Sequence, residues 1–353
     1  MIDFQELVDA TLRGERISED DALQMLETPD AQVLDLVAAV ARIRRTYYGN
    51  RVKLNYLVNL KSGLCPENCN YCSQALGSTA PILKYSWLGA DEAAAQADLG
   101  VAGGAARVCL VASGRGPSNR DVERVAEIAA SIKDRKPHVE VSACLGLLRD
   151  GQVERLAAAG VDAYNHNINT AESFHDQIVQ THSYADRVNT ITAVKRAGLS
   201  PCSGLIVGLG ESDDQIVEAL LALRDLEAES VPINFLVPFD GTPMAGRRTL
   251  TPLQCIKIVA LARLVCPGAE IRLAGGRELH LGTLQGLALH LANSIFLGDY
   301  LTAEGQAAAA DHTLIRENGF VVANAGEAGS SAEAPQRARP RQRGAGTAFD
   351  ANA

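Results

Sequence analysis

The feature that most limits how this chain can fold is a repeat of short apolar runs separated by helices with marked starts. Runs at Lys53–Leu60, Arg107–Ala112, Val139–Leu145, Ala163–Ile168, Gly204–Val207, Ile233–Val237, Glu270–Leu273 and Ser294–Leu297 read as strands. Between them, Ser118 precedes an acidic first turn, and Ser212-Asp213-Asp214-Gln215 fits a capping box. Thr251-Pro252 sets a cap before proline at the first helical position. Eight such units predict a TIM-type (β/α)8 barrel with parallel strands. A doubly wound sheet lacks its dinucleotide fingerprint here: Gly208 and Gly210 are present, but Asp213 stands where the third glycine belongs.

The barrel is expected over residues 50–324. Residues 1–49 read as a helical extension, in which Ser18 caps a helix carrying Leu23 and Leu26, and Val33, Leu36, Val37, Val40 and Ile43 recur at helical spacing. Residues 325–353 are rich in Ala, Gly, Ser, Pro and Arg, and read as a disordered tail with too few apolar groups to offset ordering entropy. A net charge of -9 argues against a nucleic-acid surface, which needs a basic face. No apolar run reaches membrane-spanning length, and Met1-Ile2-Asp3-Phe4-Gln5-Glu6 lacks the features of a signal peptide, so a cytoplasmic protein is expected. There, eight cysteines are expected to serve as free thiols, ligands or catalytic groups rather than disulfides.

Cys65-Pro66-Glu67-Asn68-Cys69-Asn70-Tyr71-Cys72 follows the first strand, where the active face of a barrel begins. An iron–sulfur cube is normally held by four cysteines, so three close ones leave one iron open to a small molecule. Structural zinc would need four protein ligands, and no histidine precedes His138. A core role gives no reason for three thiols on a loop with Pro, Glu and two Asn. The spacing, with an aromatic just before the third cysteine, resembles the radical S-adenosylmethionine superfamily. That resemblance implies a 4Fe-4S cluster on Cys65, Cys69 and Cys72 that binds S-adenosylmethionine, with no side-chain acid or base carrying the chemistry.

Four further segments, in order, resemble the biotin synthase family. They are Asn55-Tyr56-Leu57-Val58-Asn59, Tyr164-Asn165-His166-Asn167-Ile168-Asn169-Thr170, Ser230-Val231-Pro232-Ile233-Asn234 and Arg272-Leu273-Ala274-Gly275-Gly276-Arg277-Glu278. The likeness runs from about Asp20 to Asp299 and implies a sulfurtransferase that converts dethiobiotin to biotin. It implies Asn167 and Asn234 at the dethiobiotin ureido ring, Asn169 at the ribose, Arg187 at the methionine carboxylate, and Tyr71 beside the cofactor. It also implies a homodimer, an electron donor such as flavodoxin or ferredoxin, and a 2Fe-2S cluster on Cys109, residue 142, Cys202 and Arg272. An arginine facing a barrel lumen needs a partner, and such a cluster provides one.

Residue 142 is serine where the resemblance implies cysteine. Serine oxygen binds iron but is harder and less readily deprotonated than thiolate. Weak loading of the second cluster and poor biotin formation are therefore expected. Cys144 points to the same strand face, about 6.6 Å further along. Two alternatives remain open: a related radical enzyme of the hydrogenase-maturation or methylornithine-forming type, and an iron–sulfur carrier.

Overall fold

The computed structural model describes residues 2–323, so the Arg-rich segment expected to be disordered lies outside the described residues. The barrel strands are β1 (Arg51–Lys61), β2 (Arg107–Ala112), β3 (Glu140–Cys144), β4 (Ala163–Asn165), β5 (Ser200–Cys202), β6 (Leu205–Val207), β7 (Ser230–Phe235), β8 (Glu270–Leu273) and β9 (Ser294–Phe296). All pair in parallel, and β1 against β9 closes the ring. A short β10 (Val321–Val322) pairs with the start of β1 outside the ring.

The fifth position of the barrel differs from the single expected strand. It is split into β5 and β6 around Ser203-Gly204, and Cys202 ends the first piece. A Cβ on Gly204 would lie 1.9 Å from the Pro232 carbonyl oxygen, so only glycine lets β7 approach here. The backbone at the break stays paired: Ser203 N–H donates to Ser230 O at 2.9 Å and Gly204 N–H to Asn167 Oδ1 at 3.0 Å, while Ser203 Oγ accepts from Ile168 N–H at 3.1 Å.

The helix starts follow the sequence cues. After α1 (Phe4–Leu12), Ser18 caps α2 (Glu19–Leu26), which precedes α3 (Val33–Tyr48). In the barrel, α4 (Ala90–Ala102) follows β1, and Ser118 caps α5 (Asn119–Arg135) after β2. Next come α6 (Gln152–Ala158), α7 (Glu172–Ile178), α8 (Tyr184–Arg196), α9 (Asp213–Asp225) and α10 (Pro252–Val265). Capping boxes at Ser183, Ser212 and Thr251 open the last three of these.

The N-terminal extension packs α3 against α10. Fully buried Arg44 ties α3 to the start of β1 and to the segment before β9, donating to the Arg51 and Ala292 carbonyls at 2.7 and 3.2 Å. A buried guanidinium is tolerated because each edge meets a carbonyl and its face lies over Phe320 at 4.5 Å.

Candidate functional site

The loop after β1 is irregular, and polar side chains hold it to the segment joining α7 to α8. Asn70 donates from its backbone to Ile178 O and from Nδ2 to Gln177 O, both at 3.0 Å. Asn68 exchanges a pair of hydrogen bonds with Gln180 at 2.7 and 3.0 Å. Glu67 is buried; its Oε2 lies 2.5 Å from His182 Nδ1 and accepts from the Thr181 hydroxyl, with Arg115 3.6 Å from Oε1. Burial alone would raise the Glu67 carboxyl, but these neighbours hold it below the usual carboxylate range. The sequence motif foresaw the three cysteines, not this clamp.

Cys65, Cys69 and Cys72 are free, half-buried thiols. Burial pushes all three pKa values up, Cys72 to about 12, so the proton must leave when a metal binds. Among the described residues, no group of three or more His, Cys, Asp or Glu side chains is arranged to hold a single metal ion. A cluster does not require that, because its cysteines bind different irons.

A cavity of about 260 Å³ connects this loop to the barrel interior. Its lining runs from Tyr71 and Cys72, past Asn167 and Asn234, to Cys109 and Arg272 in mid-strand. Asn234 is oriented by backbone, accepting from Gly275 N–H and donating to Leu205 O, each at 3.0 Å. Asn169 adopts positive φ (71°) and turns its amide oxygen to the Tyr71 hydroxyl and to both terminal nitrogens of Arg187 at 3.2 Å. Arg187 does not lie on the outer surface of α8, where its helical position alone would put it. It is buried, donates to Asn167 O at 2.8 Å, and its Nε has no hydrogen-bond partner among the described residues. An orphaned buried donor of a charged group is costly unless a ligand meets it. His166 is buried, its backbone N–H donating to Cys202 O at 2.9 Å.

In the lumen, Cys109 is in register with Ser142 on β3, but Ser142 does not line the cavity; Cys144 does. Both Ser142, beside Cys109, and Cys144, at the cavity, stand near the expected set. Side chains on a strand advance by about 6.6 Å every second residue, so Cys144 lies one step further along β3 than Ser142 on the same face. Burial, reinforced by Cys202 and Cys109, pushes the Cys144 thiol up to about 12.

Arg272 is also better provided for than expected. Glu270, two residues earlier and so on the same strand face, accepts from its Nε at 3.1 Å and from a terminal nitrogen at 2.5 Å. Ser230 accepts at 2.9 Å, and Arg272 Nη1 lies 3.8 Å from Cys202 Sγ. Gly208 and Gly210, beyond β6, do not line the cavity; both have positive φ, and Gly208 N–H donates to Glu211 at 2.7 Å, as in a tight turn.

Residues 60–223 match the family model described as the Radical SAM superfamily, and 232–321 match the Biotin and Thiamin Synthesis associated domain. The chain is 62% identical over 356 residues to a biotin synthase of Saccharopolyspora erythraea, covering 99% of both chains. Against a biotin synthase of a Nocardioides species, identity is 58% over 370 residues, again covering 99% of both. Among solved structures it resembles methylornithine synthase (TM-score 0.76, 19% identity, 91% of this chain and 98% of that one). It also resembles an FeFe-hydrogenase maturase from Carboxydothermus hydrogenoformans (TM-score 0.77, 18% identity, 91% and 79%). At such identities the two solved structures share the fold alone.

Proposed function

The chain belongs to the biotin synthase family, radical S-adenosylmethionine enzymes that insert sulfur into dethiobiotin, and from that premise we propose how its own residues divide the work. Cys65, Cys69 and Cys72 would hold the 4Fe-4S cluster, a role supported by three free thiols on one pinned loop. When bound, that cluster and S-adenosylmethionine supply the one-electron chemistry that takes hydrogen from unactivated carbon. Arg187 binds the methionine carboxylate; its buried, unpartnered Nε–H supports this. Asn169 and Tyr71, already joined, bind the ribose. Asn167 and Asn234 orient the ureido group, since each amide offers donor and acceptor and is held by backbone contacts on one side. Leu57, Val111, Phe239 and Leu301 line the same space and exclude water.

In this reading Cys109, Cys144, Cys202 and Arg272 hold a 2Fe-2S cluster, which when bound supplies the sulfur. In it, Cys144 takes the place of the expected Ser142; its lining of the cavity with Cys109 and Arg272 supports that choice, and the variants at position 142 test it. A flavodoxin or ferredoxin as electron donor, a homodimer and the cytoplasm complete the reading. Eight free cysteines suit a reducing compartment, and no described helix is long and apolar enough to cross a membrane.

The observation that carries the reading is the single cavity joining the three-cysteine loop to Cys109 and Arg272, with two asparagines between. The test is anaerobic reconstitution followed by assay with S-adenosylmethionine, reductant and dethiobiotin. Dethiobiotin should stimulate cofactor cleavage and become biotin, with two adenosylmethionines consumed per product. A chain that cleaves S-adenosylmethionine but ignores dethiobiotin would overturn these assignments.

A further inference from the structure

Below the cavity, a layer of charged side chains closes the lumen. Arg107 on β2 meets Glu140 on β3 at 2.7 Å, and Lys53 on β1 meets the same carboxylate at 2.6 Å. Glu270 stands at their centre. Its Oε2 is 3.4 Å from both Lys53 Nζ and Arg107 Nη1, while Oε1 takes Arg272. Ser294 Oγ donates to Oε1 at 2.8 Å and accepts from Asn55 Nδ2 at 2.7 Å, so the network spans β1, β2, β3, β7, β8 and β9. A second cavity of about 570 Å³, lined by Lys53, Arg107, Glu140 and Glu270, opens beneath it.

This layer leaves Arg272 one orientation. A guanidinium carries five N–H donors in a fixed fork. Glu270 and Ser294 take Nε, Glu270 and Ser230 take Nη2, and Phe296 lies against the plane with its centroid 5.0 Å from Cζ. Nη1 remains, and among the described residues its hydrogen-bond partner is Cys202 Sγ. Nothing else in the layer offers Arg272 a carboxylate, since Glu140 is committed to Lys53 and Arg107.

We propose that Glu270 is a positioning residue for the second cluster: it locks Arg272 so that only Nη1 faces the thiolates, and it is the shared counter-charge for Lys53, Arg107 and Arg272. The proposal rests on the reading that Cys109, Cys144, Cys202 and Arg272 hold a 2Fe-2S cluster. Glu270 does not touch that cluster; it acts through Arg272.

Glu270→Gln keeps the size and one acceptor oxygen while removing the charge, and Glu270→Asp keeps the charge but withdraws it from Arg272. Both variants and the parent are reconstituted anaerobically, and 2Fe-2S content, 4Fe-4S content and the 2Fe-2S reduction potential are measured on each. In the cluster-free proteins, the rate of Cys202 alkylation is followed by mass spectrometry. Glu270→Gln should lose several-fold in 2Fe-2S content with 4Fe-4S content unchanged. What cluster remains should have a higher potential, because a negative charge behind it is gone, and Cys202 should alkylate faster. Glu270→Asp should fall between. A general loss of structure would lower both clusters together and overturn the proposal, as would either variant matching the parent in 2Fe-2S content, potential and alkylation. A parent that loads no 2Fe-2S cluster at all overturns the underlying assignment and this proposal with it.

Discussion

The loop carrying Cys65, Cys69 and Cys72 takes its shape from irregular backbone tied by Glu67, Asn68 and Asn70 to the α7–α8 segment, whereas Cys109, Cys144 and Cys202 sit on three strands whose pairing places them. The first set is contiguous, half-buried and close to the helix that presents Arg187. The second is dispersed over almost a hundred residues and lies above a floor of paired charges. A contiguous motif can be read without the fold but says nothing of what holds it. A dispersed one depends on register, where an error of two residues moves a ligand by a whole layer.

Replacing Cys69 with Ala should separate the two regions most sharply. Reductive cleavage of S-adenosylmethionine, followed as 5′-deoxyadenosine, should fall to background, while iron and sulfide in the lumen site persist. Undiminished cleavage would break the assignment of the loop.

Cys144→Ala tests the other side. Cofactor cleavage should survive, whereas biotin formation should drop by at least the roughly 10–100-fold that outer partners of a metal site alone are worth. Ser142→Ala should leave both unchanged, and Ser142→Cys should raise neither. If Ser142→Cys increases 2Fe-2S absorbance and biotin yield together, position 142 rather than 144 completes the set.

Between the regions, Arg187→Gln should raise the KM for S-adenosylmethionine by roughly tenfold to a hundredfold, matching about 1.5–3 kcal/mol for a charge-assisted hydrogen bond. The KM for dethiobiotin is the control, and a change confined to it would remove Arg187 from the cofactor subsite. The smallest effect is expected for Asn234→Ala: about a fivefold rise in the KM for dethiobiotin, near 1 kcal/mol for one neutral hydrogen bond. Equal rises for both substrates would instead mean that Asn234 matters through its anchoring of Gly275 and Leu205.

The barrel was legible because strand and helix periods differ and because Ser118, Ser212 and Thr251 mark helix starts by local chemistry alone. The split at Ser203-Gly204 was not, since it answers to the Pro232 carbonyl on a neighbouring strand. Glu270 carried a usable signal, two residues before Arg272 and therefore on its face of the strand. Thr181 and His182 carried none; they meet Glu67 only because the chain returns more than a hundred residues later.

By itself, then, the sequence determined the class of fold and the place where three thiols gather, because periodicity, caps and a short cysteine spacing are properties of neighbouring residues. Tertiary structure alone decided that Cys144 lines the cavity and that Arg187 is buried, its Nε without a partner among the described residues. It also decided that Nη1 of Arg272 is the nitrogen left facing Cys202 Sγ. The physical reason is closure: once eight strands join in a ring, stagger and depth set which inward side chains share a layer, and neither quantity is local to any stretch of chain.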